Sequence, residues 1–202
     1  MEHKMTDIKS KRPNADEVLE TLRRGNERFV NEELEHPNHC KESRERLLSH
    51  QEPIATVLTC ADSRVPPVDI FDQGLGDLFV VRVAGNIIGD HTLGSIEYAV
   101  SHLHTPLVVV MGHASCGAVG AVASGITLEG HIATLTPAIQ SAIKHVKETS
   151  GNAIDNASKE LARQMAKKLE TSEPIIADLV KEKKVKIAAA FYDFHTGEVT
   201  FL

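Results

Sequence analysis

There is no tryptophan in these 202 residues, and aromatic side chains make up only 4% of them. A core built here must rely on Val, Ile, Leu and Ala rather than on large rings. Cysteine is scarce too, with three residues at 40, 60 and 116. Three thiols cannot all pair, so a disulfide framework is excluded, and each has to be explained as a metal ligand, a nucleophile or a buried filler. No apolar run reaches the ~18–20 residues that a membrane span needs. Residues 1–17 are polar and lack the apolar stretch of a secretory signal, so a cytoplasmic location is expected. Positive charge is not in excess: 22 basic residues face 28 acidic ones, the net charge is −6, and the basic residues are scattered. Nucleic acid is therefore an unsuitable partner.

What is present is alternation on a chain long enough for one core. A hydrophobic content of 42% over 202 residues suits a single domain spanning 1–202, with an N-terminal helical arm at 1–50 and an α/β core at 51–202. In the arm, Val18, Leu19, Leu22, Phe29 and Val30 recur at helical spacing behind the capping pattern Asn14-Ala15-Asp16-Glu17, which predicts a helix over 14–34. Arg44–Leu48 suggests a short second helix. From residue 54 the texture changes to Val- and Ile-rich runs bounded by Gly, Pro and Asp: Ile54–Thr59, Leu78–Val83 and Leu107–Met111. Such runs suit strands buried on both faces of a parallel sheet. Helical stretches at 94–104 and from about Ala114 alternate with them, so the pattern is βαβ and the expected class is a mostly parallel α/β sheet flanked by helices. Residues 131–183 read as helical, with breaks near Ser150-Gly151-Asn152 and at Pro174. Val185–Tyr192 and Glu198–Leu202 flank His195-Thr196-Gly197 as a hairpin closing one sheet edge.

Two loops carry candidate chemistry. Cys60 follows the first strand directly, and His113-Ala-Ser-Cys116 follows the third. In an open α/β sheet, ligands gather at the carboxyl ends of parallel strands where the strand order reverses. Two thiols and an imidazole suit zinc, and three ligands leave one tetrahedral position open, as a catalytic site requires. A helix starting near Cys116 would favour its thiolate. Each residue also has a plainer explanation: a buried cysteine is usually inert, an isolated His-x-x-Cys is a weak signal, and Gly112-His113 could be a turn after a strand. Asp62 and Arg64 could pair beside the cluster by charge-assisted hydrogen bonds, or form an ordinary surface ion pair. Cys40, in the loop His36-Pro37-Asn38-His39-Cys40, reads as a surface thiol. Gly112–Gly120 lacks the lysine and spacing of a phosphate loop, which argues against a nucleotide-binding module.

Cys60-Ala61-Asp62-Ser63-Arg64-Val65-Pro66 resembles the first signature of the β-carbonic anhydrases, and Gly112-His113-Ala114-Ser115-Cys116-Gly117 resembles their second. Residues 76–86 and 96–100 resemble the blocks between the signatures, and Tyr192-Asp193 through Phe201 resembles the terminal hairpin. The resemblance implies reversible hydration of CO2 to bicarbonate and a proton. It also implies one Zn2+ per chain on Cys60, His113 and Cys116, with Asp62 and Arg64 as a dyad beside the open position. In that family the Arg holds the Asp off the metal, and an open dyad lets the Asp take the fourth site. The resemblance further implies an active site at a dimer interface, a homodimer or larger homo-oligomer, and Phe79 and Tyr98 serving a neighbour's zinc.

Gln51, Phe79 and Tyr98 resemble the substrate-facing residues of the plant-like, non-allosteric subclass, and Val57 stands where the bicarbonate-inhibited subclass has Trp. Val65 and Ala84 complete the expected substrate walls. Val83-Ala84-Gly85-Asn86 replaces the commoner Asn-Val-Ala-Asn, so a slightly roomier pocket is expected. Two alternatives stand beside CO2 hydration: hydrolysis of CS2 or COS on the same scaffold, and a non-catalytic zinc-stabilised binding protein. The second would prefer a fourth protein ligand and has no use for the dyad.

Overall fold

The computed structural model describes residues 12–202, so the first eleven residues of the expected arm lie outside the described ones. Helix α1 (Ala15–Val30) starts where the capping pattern places it. Asn14 Oδ1 accepts from the amides of Asp16 and Glu17, each at 3.0 Å, and the Glu17 carboxylate accepts from the Asn14 amide at 2.7 Å. Three orphan donors of the first turn are thus satisfied. The helix stops short of the predicted Leu34 because the chain turns at Asn31 and at Glu32, which has φ 60°. Helix α2 is Lys41–Arg46, earlier than Arg44–Leu48, and it leaves Leu48 exposed.

Five strands follow: β1 (Ala55–Thr59), β2 (Leu78–Arg82), β3 (Leu107–His113), β4 (Lys186–Tyr192) and β5 (Val199–Phe201). They form one sheet in the order β2-β1-β3-β4-β5; the first four are mutually parallel and β5 runs antiparallel to β4. This is the expected α/β class with its edge hairpin. Strand β3 runs past the predicted Met111 because Gly112 and His113 pair with Phe191 and Tyr192 of β4. Gly112-His113 is therefore strand and not a turn.

Between β1 and β2 lies a short helix, α3 (Pro67–Ile70), which the sequence pattern does not announce. Helix α4 (Asp90–Ser101) begins before the predicted residue 94. The segment after β3 resolves into α5 (Gly117–Ala123), a 3-10 turn at Gly130–Leu135, α6 (Thr136–His145), α7 (Ala153–Glu170) and α8 (Ile175–Lys181). The expected breaks hold: Gly151 has φ 99°, Asn152 caps α7 by accepting from the amides of Ile154 and Asp155, and Pro174 precedes α8.

Side chains alternate along the central strands and so feed two cores. Leu58, Val108 and Val110 join α4 to α8 on one face. Val57, Leu107, Val109 and Met111 join α1 and α3 on the other. Each fully buried aliphatic side chain contributes roughly 1.5–3 kcal/mol relative to exposure. Gly112 shows how closely α7 packs on β3: a Cβ there would lie 2.7 Å from the Ser158 carbonyl oxygen. Among the described residues no helix is long and apolar enough to cross a membrane.

Candidate metal centre

Strand order places the site. From β1 the chain steps one way to β2 and the other way to β3, so the reversal point lies at the carboxyl ends of β1 and β3. Register does the rest. Thr59 pairs with Met111, which sets Cys60 level with Gly112 and next to His113. Cys116 then sits at the N-cap of α5. Cys60, His113 and Cys116 are all buried, and their ligand atoms lie within 4.8 Å of one another.

The donor atoms are prepared for a cation. His113 Nδ1 lies 2.8 Å from the Ala114 carbonyl, an arrangement that puts the ring proton on Nδ1 and leaves the lone pair on Nε2. That Nε2 is buried without a hydrogen-bond partner, one of two such side-chain atoms among the described residues, the other being Asn86 Nδ2. A buried orphan acceptor facing two sulfurs costs free energy unless something binds it. Cys60 is held down toward the thiolate, foremost by the hydrogen bond from the Cys116 thiol against the opposing effect of burial, with the Gly85 amide assisting. The Gly85 amide donates to Cys60 Sγ at 3.3 Å. Cys116 is pushed the other way, by its hydrogen bond to Cys60 and by burial. The two shifts in opposite directions come from one contact between the sulfurs, and a divalent cation between them would take its place. Two sulfurs and one unsatisfied imidazole nitrogen, His113 Nε2, fit zinc with one position left open.

Asp62 and Arg64 form the pair expected of them. The guanidinium donates through Nε to Oδ1 at 2.9 Å and through Nη2 to Oδ2 at 2.8 Å, and the Arg64 amide donates to Oδ1 at 3.0 Å. These contacts hold the Asp62 carboxyl well below the usual carboxylate range, the Arg64 side chain being the largest cause, against a smaller opposing effect of burial. Asp62 Oδ2 lies 4.0 Å from His113 Nε2, so the carboxylate faces the donor cluster without occupying it.

The other expected substrate residues divide into two places. Ala84 opens the turn whose Gly85 amide touches Cys60, and Val65 is fully buried beneath the loop, its amide donating to the Asp62 carbonyl at 3.0 Å. Gln51, Phe79 and Tyr98 lie elsewhere. Phe79 pairs with Thr56, and at ~3.3 Å per residue this puts it roughly 13 Å back along the sheet from Cys60. Its ring lies 6.2 Å from that of Tyr98, and Tyr98 lines an open surface cleft with Gln51. One chain therefore does not bring these three to its own cysteines.

Several supports escape a reading of the sequence. Arg82 Nε donates to the Cys60 carbonyl at 3.0 Å, and its Nη2 donates to the Asp62 carbonyl. Asp155, in the first turn of α7, accepts from the Ser115 amide at 2.8 Å and so braces a residue whose φ is 50°. Phe194 lies against both Arg64 and His113. Arg82 and Phe194 sit inside blocks that resemble the family, residues 76–86 and the terminal hairpin, but nothing local ties Phe194 to Arg64; Asp155 lies in no such block, far along the chain from Ser115.

An open, mostly parallel α/β sheet with a buried Cys2His cluster at its reversal point could hold a catalytic metal, with one tetrahedral position left for water or substrate. The family model described as carbonic anhydrase matches residues 55–199, and the chain belongs to that family. Among its relatives is "Carbonic anhydrase 2" of Mycobacterium tuberculosis, 52% identical over 116 residues that cover 56% of each chain. The chain thus spans little more than half the length of that curated relative. A tetrameric β-carbonic anhydrase of Sordaria macrospora superposes with a TM-score of 0.74 over 92% of this chain and 96% of that one, at 23% identity. The β-carbonic anhydrase CafA of Aspergillus fumigatus superposes at 0.70 over 92% and 88%, at 26% identity. The fold is that of the β class.

Proposed function

We propose that the protein reversibly hydrates CO2 to bicarbonate and a proton at a zinc held by Cys60, His113 and Cys116. The observation that carries this reading is the unpartnered His113 Nε2, buried with two cysteine sulfurs and faced at 4.0 Å by a carboxylate that is already paired. A bound zinc supplies Lewis acidity, which lowers the pKa of water enough for nucleophilic attack near neutral pH. Asp62 accepts a hydrogen bond from the attacking water and orients its lone pair toward the carbon of CO2. Arg64 keeps Asp62 in that role and off the metal ligands. Ala84 forms part of the wall for a small apolar substrate. Gln51, Phe79 and Tyr98 complete the pocket from a second copy of the chain, which makes the working unit a homodimer or a larger assembly. Val65 acts from beneath, fixing the dyad loop. Unpaired thiols at such a centre suit the reducing conditions of the cytoplasm.

The finer reading is a non-allosteric enzyme of the plant-like subclass. Val57 is fully buried within β1, and no tryptophan exists anywhere in the chain to build a second bicarbonate site. The test measures zinc content and initial CO2 hydration on one preparation, with CS2 and COS assayed in parallel. Rates from about pH 6.5 to 9 should follow one gradual titration, with and without added bicarbonate at constant ionic strength. Zinc-loaded protein that turns over CS2 or COS but not CO2 would overturn the substrate assignment. A cooperative loss at low pH that bicarbonate deepens would overturn the subclass.

A further inference from the structure

Arg64 is 54% exposed in its side chain, and a guanidinium on a loop at that exposure has little intrinsic reason to keep one rotamer. Here it has a seat. Its Cζ lies 4.3 Å from the centroid of the Phe194 ring, over the aromatic face. Phe194 lies two residues beyond β4, in the turn that leads to β5, and that turn is closed by the Asp193 amide on the Glu198 carbonyl and the Gly197 amide on the Asp193 carbonyl, both 2.9 Å. The ring is also held from behind. It packs 5.2 Å from the His113 ring and edge-on to Tyr192 at 5.4 Å, and Tyr192 meets Phe29 of α1 edge-on at 6.4 Å. A line of aromatic contacts therefore runs from the N-terminal helix to the guanidinium.

We propose that Phe194 is a positioning residue for the dyad: its ring face holds Arg64 in the orientation that grips both oxygens of Asp62, and so keeps that carboxylate turned away from the metal position. A cation over an aromatic face is attracted to the ring quadrupole and gains from excluding water on one side. The two parallel N–H···O bonds require the guanidinium and carboxylate to be nearly coplanar, and a flat seat selects that plane. The function of the seat rests on the reading that Asp62 serves the reaction, but its geometry does not.

The experiment follows the Arg64 Nε–H signal by NMR in the full chain, with and without zinc, and measures its exchange with solvent alongside CO2 hydration. Phe194→Leu and Phe194→Met both remove the ring face, and Met preserves more of the volume should the Leu variant fail to fold; Phe194→Tyr keeps the face. Thermal melting of each variant checks that folding is intact. Exchange at Arg64 should rise about two- to five-fold in the Leu and Met variants, with a parallel loss of rate, and return to the parent value in Tyr. Unchanged exchange in folded Leu and Met variants overturns the proposal, as does a folded Tyr variant that fails to rescue. Phe194-dependent exchange in a protein that does not hydrate CO2 would uphold the seat and overturn the functional reading instead.

Discussion

At the scale of single residues, the candidate metal centre is an unfinished set of donors. Two buried sulfurs lie together, one imidazole nitrogen has no partner, and the nearest carboxylate is engaged elsewhere. Removing any ligand should break the set, because a three-ligand site cannot spare a member. Purified parent protein is expected to carry about one zinc per chain, and Cys60→Ala, His113→Ala and Cys116→Ala close to none, by elemental analysis. Full occupancy in Cys116→Ala would remove it from the ligand set. The dyad should behave differently. Asp62→Asn is expected to retain zinc and lose roughly 10–100-fold in CO2 hydration, since an amide cannot reproduce both the acceptor role and the pairing with Arg64. Parent-like rates in Asp62→Asn would leave the dyad without a catalytic role. These five residues were legible in the sequence because each signature is local: its members sit within a few positions of one another, on loops that follow recognisable strands. Phe194 and Asp155 were not legible. Their partners, Arg64 and Ser115, are joined to them only by the pairing of β3 with β4 and the packing of α7 on the sheet.

At the scale of elements, the strand cores were readable from their apolar runs, while their ends were not. β3 extends through His113 because β4 offers partners there, a fact stored in another part of the chain. α1 ends at Val30 because the following segment is tied down by a residue the pattern did not flag. Asp72 is buried, accepts from Arg28 Nε at 2.6 Å, and also accepts from the amides of Glu35 and His36 at 3.0 Å each. Burial pushes its carboxyl up, yet the Glu35 amide, Arg28 and the His36 amide together bring it below its ordinary value of 3.8. A depressed carboxyl contributes stability that is present above the unfolded-state pKa and lost as pH falls through the folded one. Asp72→Asn should therefore destabilise the protein at pH 7 by on the order of 2 kcal/mol, because it removes the charged acceptor at 2.6 Å from Arg28 and leaves that guanidinium only the exposed Glu35 carboxylate at 3.9 Å. The difference from the parent should shrink as pH falls below about 4. Denaturant melts at neutral and acid pH measure both effects. A constant difference across that range would mean that Asp72 acts through packing alone.

At the scale of the whole molecule, the division of the expected substrate residues has a consequence for assembly. Cys60 and His113 lie at the carboxyl ends of β1 and β3, whereas Phe79 pairs with Thr56 toward the other end of the sheet and Tyr98 stands 48% exposed on α4. β2 is an edge strand and only half-buried along its length. An exposed aromatic residue next to a half-buried edge is the kind of surface that a second copy covers. If two copies meet there with two-fold symmetry, each metal centre receives Gln51, Phe79 and Tyr98 from its neighbour, and function belongs to the pair. Two variants, each with little activity, test this. Cys116→Ala lacks the metal centre but keeps an intact donor surface; the double variant Gln51→Ala with Tyr98→Ala keeps the metal but offers a damaged surface. When the two are mixed under conditions that allow subunit exchange, half of the dimers become mixed, and each mixed dimer contains one intact site. Activity should recover to about a quarter of the parent's, while either variant alone stays low. If residues 51 and 98 serve their own chain's zinc, mixing creates no intact site and recovers nothing, even when native mass spectrometry shows that subunits have exchanged.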